Sequence, residues 1–255
     1  MDGFETSKKR LAFNAPNIDS LLILIDISYE LDHPFIIQIS EKLVSIYGIE
    51  LFDFILKKHK DKIWFNLDHC KNINLISKCT HDNGWTSALF DASDKSLIEN
   101  IKLSNQAKDI CTKNGLLLEC EVGALKEGNY SDITEIEDFI TNVNCDLLGI
   151  AVGTAHGKYV GGNINYNLIS SVYDFIEAPI VIHGGSGLDN ESIEKAMKLG
   201  AFKLNISTGL KKIYLDVVKD NNSYNVEKIK EELHQKFLSY IKDKINLINI
   251  NLDVN

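Results

Sequence analysis

Short apolar runs alternate with longer amphipathic segments along the whole chain. Nearly continuous apolar strands separated by helices are typical of a parallel sheet that is covered on both faces. Eight such strand–helix units in 255 residues predict an α/β fold, a closed (β/α)8 TIM barrel that forms a single domain over residues 1–255. An open, doubly wound sheet is the structural alternative. The candidate strands are 11–14, 35–40, 63–69, 87–91, 116–123, 147–153, 179–184 and 202–207.

Apolar residues recur with helical spacing in several of the connecting segments, including 18–31, 96–113 and 133–143. After the eighth strand, segments 210–217 and 226–247 predict C-terminal helices. The pattern leaves two places open for the last helix, because its apolar face can close the barrel or pack on a neighbouring subunit.

Composition and charge argue against some classes of function. The net charge of −9 argues against nucleic-acid binding, which requires a basic face. An anionic substrate would therefore need a local binding device. The polar N-terminus and the absence of an apolar run of about 20 residues predict a cytoplasmic protein without a membrane partner. Five scattered cysteines are expected to be reduced.

Polar side chains follow nearly every predicted strand. In a barrel of this kind the carboxyl ends of the strands build the active site together, so we expect these residues to share one face. They are Asn14, Ser40, Asp68, His69, Asp91, Glu119, Glu121, His156, His183, Asn205, Ser207 and Thr208.

Three histidines fall at or just after these strand ends: His69, His156 and His183. One histidine alone is more often a hydrogen-bonded core or loop residue. Three at one face of one barrel instead predict a metal site, and neutral imidazoles are good ligands for Zn2+.

A glycine-rich turn, His183-Gly184-Gly185-Ser186-Gly187, precedes a helix that is predicted to begin near Asp189. Glycines let the backbone approach an anion, and N–H groups at a helix start can donate to it. The turn thus predicts a phosphate site, although most glycine-rich turns only make room for the chain.

Acidic residues supply candidates for proton transfer. Asp68 should point away from His69 unless the strand ends there; it could exchange a proton with a substrate oxygen or cap the next helix near Asn72. Glu119 and Glu121 alternate on one strand and should both face the barrel interior. Buried carboxylates need partners there, and a metal, a monovalent cation or a lysine would each serve.

Seven ordered motifs resemble the class II, metal-dependent fructose-bisphosphate and tagatose-bisphosphate aldolases. They are Ala12-Phe13-Asn14, Ile37-Gln38-Ile39-Ser40-Glu41, Leu67-Asp68-His69, the segment 119–123, Gly153-Thr154-Ala155-His156-Gly157, His183-Gly184-Gly185-Ser186-Gly187 and Asn205-Ile206-Ser207-Thr208.

The resemblance implies residue roles around a Zn2+ or another divalent ion. His69, His156 and His183 would be metal ligands, and Glu121 would hold the metal in an alternative position. Asp68 would transfer a proton at the cleaved bond, and the metal would stabilise an enediolate. The implied substrate-binding residues are Asn14, Ser40, Gly157, Gly184, Ser186, Asn205, Ser207 and Thr208.

The chain also departs from the family's pattern. The loop after the fifth strand is short, and Glu127 is the only acid left in it, which makes Glu127 the second catalytic candidate. The only arginine is Arg10, at the wrong end to hold a second phosphate. Lys158, Lys211 or Lys212 could meet such a group as a point charge.

These departures predict an aldolase for a specialised ketose phosphate with one recognised phosphate, rather than the standard glycolytic enzyme. A zinc-dependent TIM-barrel hydrolase or isomerase of a phosphorylated sugar is one alternative, and a non-catalytic sugar-phosphate-binding homologue is another. A homodimer or homotetramer is implied by the resemblance only, and a monovalent cation is a further candidate cofactor.

Overall fold

The computed structural model describes residues 9–31, 35–123, 128–154, 164–220 and 225–249. Eight parallel strands close into a barrel in chain order, and β1 pairs with β8. The predicted (β/α)8 barrel is therefore confirmed, and the open sheet is excluded. The strands are β1 Arg10–Asn14, β2 Ile36–Ser40, β3 Trp64–Cys70, β4 Ser87–Phe90, β5 Leu117–Val122, β6 Leu147–Ile150, β7 Ile180–Ile182 and β8 Ala201–Ile206.

All eight strands lie where the apolar runs predicted them, with ends that differ by up to three residues. The sixth strand shows the largest difference, because Val152 leaves the parallel ladder and forms an antiparallel bridge with Tyr130. The helices are α1 Ile18–Glu30, α2 Glu41–Tyr47, α3 Ile49–Leu56, α4 Ile73–Ile76, α5 Leu97–Lys113, α6 Ile133–Asn142, α7 Tyr166–Tyr173, α8 Asn190–Lys198, α9 Thr208–Asp220 and α10 Val226–Asn249.

Polar residues at the helix starts explain why the chain leaves its strands and turns into helices. Asn17, Ser40, Ser96, Asp132 and Asp189 each precede a helix, and the side chain of each accepts a hydrogen bond from a backbone N–H of the first turn. Such caps satisfy N–H groups that have no partner within the helix.

The last helix, α10, packs on its own barrel. It contacts α1, α8, α9 and β1, and the side chains of Phe237 and Ile241 are completely buried. This contact corresponds to the first of the two places that the sequence pattern left open, and packing on a neighbouring subunit stays a prediction. Among the described residues, no helix is both long and apolar enough to cross a bilayer.

The barrel interior differs from the core under the helices. A small separate apolar cluster contains Leu147, Val181 and Phe202, with Leu117 packed against it. Leu117 precedes Glu119 on the same face of β5, so this cluster lies toward the amino-terminal end of the barrel. Above it the interior becomes polar and leads to the mouth of the barrel. The buried polar residues there include Gln38, Asn66, Ser87, Glu119 and Lys203.

Candidate active site

Asp68 and His69 both line one cavity of about 570 Å³ at the barrel mouth. The pairing register of β3 with β4 shifts between Leu67 and Cys70, and His69 has a φ of +46°. This irregularity replaces the strict alternation of an extended strand, which would turn neighbouring side chains to opposite faces. The sequence allowed both residues to face the same way only if the strand ended there. The strand continues to Cys70, and the irregularity has the same effect.

Asp68 is held by two side-chain amides. Asn14 Nδ2 donates to its Oδ2 at 2.5 Å, and Gln38 Nε2 donates to its Oδ1 at 2.8 Å. The sequence also allowed Asp68 to cap the following helix. The structure gives that role to Asn72, whose side chain accepts a hydrogen bond from the backbone N–H of Asn74 in α4. The capping interpretation of Asp68 is thus wrong. Gln38 was not selected as a site residue, although an amide inside an apolar strand was a signal for it.

His69, Glu121 and His183 form the candidate metal centre. One potential ligand atom from each residue lies within 4.8 Å of the others, and the two imidazole ring centroids are 4.9 Å apart. Two imidazoles and a carboxylate are a donor set that suits zinc and similar divalent ions. The third predicted histidine, His156, lies outside the described residues.

Asp91 orients the first of these imidazoles. Nδ1 of His69 lies 2.9 Å from Asp91 Oδ2, while the other carboxylate oxygen accepts from the backbone and hydroxyl of Ser93. Burial alone would lower the pKa of His69, but Asp68, Asp91 and Glu121 outweigh it and raise that pKa to about 9. The sequence placed Asp91 at a strand end without a role; orienting His69 is the role that its geometry fits.

Glu121 supports the assignment of a cation site. Burial, reinforced by the charge of Asp91, raises the pKa of its carboxyl group to about 8. Its Oε2 atom is buried and has no hydrogen-bond partner within the described part of the chain. A carboxylate oxygen in this position is costly unless a cation compensates for it, so these residues fit a divalent metal.

Glu119 lies deeper in the barrel and is paired with a buried lysine. Lys203 Nζ donates to its Oε2, and its Oε1 is 3.3 Å from His183 Nε2. Burial raises the pKa of Glu119, but Lys203 and His183 outweigh this effect and keep it below its usual value. Burial also lowers the pKa of His183 to about 4, which keeps the imidazole neutral.

Of the partners that the sequence allowed for Glu119, the structure thus provides a lysine. Lys203 was missed, yet its position carried a signal. It is the only charged residue of β8 and stands two residues before Asn205, therefore on the same face of the strand. Asn205 itself lies beside the metal candidate, with its Nδ2 3.2 Å from His183 Nδ1.

The glycine-rich turn precedes α8 in the chain, but it also contacts the start of α9. Gly184 adopts the left-handed conformation with a φ of +76°, and the next three residues form a single 3-10 turn. The hydroxyl of Ser186 accepts from the backbone N–H groups of Ser207 and Gly209, at 3.1 and 3.0 Å. The start of α8 is already capped by Asp189.

The remaining predicted substrate residues are divided between the cavity and its surroundings. Asn14, Ser40 and Ser207 line the cavity together with Asp68 and His69, and Thr208 begins α9. The cavity wall also contains Lys42 and Lys211. The predicted residues Glu127, Gly157 and Lys158 lie outside the described residues, as His156 does.

Comparisons with known proteins agree with the barrel fold. Residues 7–251 match the family described as fructose-bisphosphate aldolase class-II. The uncharacterized protein YdjI of Escherichia coli K12 is 29% identical over 251 residues, which cover 92% of this chain and 90% of YdjI. The crystal structure of the YdjI aldolase superposes with a TM-score of 0.84, covering 95% of this chain and 92% of that one.

Two further relatives carry the names of specific enzymes. A sulfofructosephosphate aldolase of Alkalicoccus urumqiensis is 26% identical over 258 residues, covering 92% of this chain and 89% of the relative. A 6-phospho-5-dehydro-2-deoxy-D-gluconate aldolase of Bacillus subtilis is 35% identical over 152 residues, covering 56% of this chain and 52% of the relative. With its whole barrel matched, the chain belongs to the class II fructose-bisphosphate aldolase family and is an aldolase-type lyase.

Proposed function

We propose that this protein is a metal-dependent aldolase that cleaves or forms a carbon–carbon bond in a ketose phosphate, through the enediolate of a dihydroxyacetone-phosphate-like fragment. One observation carries the proposal. The cluster of His69, Glu121 and His183 lies at the same barrel mouth as Asp68, so a metal position and a proton-transfer group are adjacent. Carbon–carbon cleavage of this kind requires both.

His69 and His183 would hold the metal, with Glu121 as a further or alternative ligand and His156 completing the set. We propose zinc, because this donor set suits it. When bound, the ion supplies Lewis-acid polarisation of a carbonyl oxygen and stabilises developing negative charge. Lys203 already compensates the negative charge of Glu119, one of the carboxylates for which a monovalent cation was a candidate partner. The monovalent cation therefore stays a prediction.

Asp68 would handle the proton at the cleaved bond. In the cleavage direction it accepts the proton from the hydroxyl group whose carbon becomes the aldehyde, and in the synthetic direction it returns that proton. Asn14 and Gln38 both donate to its carboxylate, so they fix its position. Glu127 is proposed as a second proton-transfer residue of the loop that follows β5.

The phosphate would bind where the glycine-rich turn meets the start of α9. Ser186 ties the N–H groups of Ser207 and Gly209 together there. A helix start favours an anion, and Lys211 in the first turn of α9 adds a positive charge at the cavity wall. Gly157, Gly184 and Thr208 are proposed to belong to the same subsite, while Asn205 contacts the enediolate.

We propose a specialised substrate that carries one recognised phosphate and a second acidic group. The names of these two relatives each combine a phosphate with another acid, a sulfo group in one and a gluconate in the other. Lys42, in the first turn of α2, is the second lysine of the cavity wall and would meet the second acid. Among the described residues, no arginine lines this cavity.

The test is a steady-state assay with a panel of ketose monophosphates, ketose bisphosphates, phosphorylated keto-sugar acids and sulfo-ketose phosphates. Analysis of the products separates the reaction classes, because an aldolase releases two carbonyl fragments whereas a hydrolase or isomerase does not. High activity confined to fructose bisphosphate would contradict the specialised substrate. Residues 1–255 are proposed to act as one domain in a homodimer or homotetramer, which light scattering would test.

A further inference from the structure

Lys203 and Glu119 form a buried ion pair in the middle of the barrel, below the candidate metal centre. Their side chains are 1% and 0% exposed, and Lys203 Nζ donates to Glu119 Oε2. A buried pair of this kind gives little net stability compared with apolar residues of similar volume, because both ions lose their hydration. Its presence beside a functional centre therefore calls for another explanation.

The second oxygen of Glu119 points to that explanation. It lies 3.3 Å from Nε2 of His183, slightly beyond a typical N–H···O distance. Nε2 also faces Gly149, where a Cβ atom would approach it to 3.0 Å. One edge of the imidazole is thus turned to the barrel wall and to Glu119. Nδ1, which Asn205 Nδ2 approaches to 3.2 Å, is the other nitrogen that can act as a ligand.

We propose that Glu119 and Lys203 are positioning residues for the metal: Glu119 accepts the Nε2 proton of His183, Lys203 fixes Glu119 in place, and the lone pair of Nδ1 is thereby presented to the ion. A histidine ligand commonly donates its other ring N–H to a carboxylate, which fixes its tautomer and orientation. Asp91 plays the corresponding role for His69. There the carboxylate lies 2.9 Å from Nδ1, whereas in His183 the nitrogen that faces the carboxylate is Nε2. The inference rests on the metal site of the proposed function.

The experiment separates positioning from stability by removing both charges at once. Glu119→Leu combined with Lys203→Met leaves no unpaired buried charge, so the double variant is expected to fold with a Tm at or above that of the wild type when metal-free. Its zinc affinity, measured by competition with a chromophoric chelator, should fall by about 10–100-fold. Ser87→Ala is the matched control, because Ser87 is a buried interior residue that accepts from Asn66 and is not in the metal cluster.

A second measurement reads the tautomer directly. In the zinc-loaded full chain, labelled with 15N at histidine, His183 should show a protonated Nε2 and a metal-bound Nδ1. The single variant Lys203→Met should lose zinc affinity as well. If Glu119 were itself a ligand, that variant would bind zinc as tightly as the wild type or more tightly.

Three results overturn the inference: wild-type zinc affinity in the double variant, undiminished zinc affinity in Lys203→Met, or a metal-bound Nε2 on His183. Each of them leaves the proposed aldolase intact. A wild-type protein that binds no divalent metal would instead contradict the proposed function itself.

Discussion

His69 follows Asp68 directly in the chain, yet both side chains line the same cavity, because His69 adopts a φ of +46° at the irregular end of β3. This conformation is uncommon outside glycine, although Asn, Asp and His adopt it more often than other residues do. Backbone strain at such positions often accompanies function. Here it brings a proton-transfer candidate and a metal-ligand candidate to one surface.

The first prediction concerns Asp68. The variant Asp68→Asn keeps the size of the side chain but removes its basic carboxylate, so kcat for aldol cleavage should fall by about 10²–10⁴-fold. Zinc affinity should change little, because Asp68 does not belong to the cluster of potential ligands. Activity within a few-fold of the wild type would exclude Asp68 as the group that moves the proton.

Removal of the metal provides the second prediction. Dialysis against a strong chelator should abolish cleavage, and added Zn2+ or another divalent ion should restore it. The variant His69→Ala should not be restored at the same ion concentration, because it lacks one of the clustered donors. Full activity after verified metal removal would contradict the metal-dependent mechanism.

Ser186 tests the phosphate subsite. Its hydroxyl accepts from two backbone N–H groups, and each such bond contributes about 1 kcal/mol. In Ser186→Ala the start of α9 loses this support, so KM for the phosphorylated substrate should rise by about tenfold. Ser45→Ala is the control, because Ser45 is exposed and, within the described part of the chain, its hydroxyl donates only to the backbone oxygen of Glu41 in α2. An unchanged KM in Ser186→Ala would indicate that the phosphate binds elsewhere.

Lys42 tests the second acidic group of the substrate. In the synthetic direction, Lys42→Gln should raise KM for an aldehyde that carries a sulfonate or carboxylate by about fivefold, which corresponds to about 1 kcal/mol for an exposed charge pair. KM for uncharged glyceraldehyde should not change. Lys228→Gln, an exposed position at the start of α10, controls for the loss of net charge. An equal effect on both aldehydes would refute a charge-specific role.

The C-terminal helix provides a prediction about stability. Phe237 on α10 is completely buried against the barrel. Phe237→Ala should lower the free energy of unfolding by about 3–5 kcal/mol, through lost burial and the cavity that remains. Chemical denaturation of the metal-free protein would measure it. A loss below about 1 kcal/mol would indicate that α10 does not depend on this contact.

The periodicity of the chain was sufficient to predict the barrel. Eight apolar runs with helical spacers leave few topologies, because a parallel strand needs a long crossover before the next strand. The same periodicity placed Glu119 and Glu121 on one face of β5, and the pairing of Glu121 with the histidines confirms that they share the interior. The same periodicity also predicted that His69 and His183 lie at strand ends.

Other features were decided only by tertiary structure, since they depend on which atoms meet across the barrel. Strand alternation does not predict the left-handed conformation of His69, because alternation assumes an extended backbone. The partner of Glu119 comes from Lys203, 84 residues later in the chain. The sequence therefore could not predict which acid contacts which imidazole. Local periodicity alone was enough to predict that polar side chains gather at the carboxyl ends of the barrel strands.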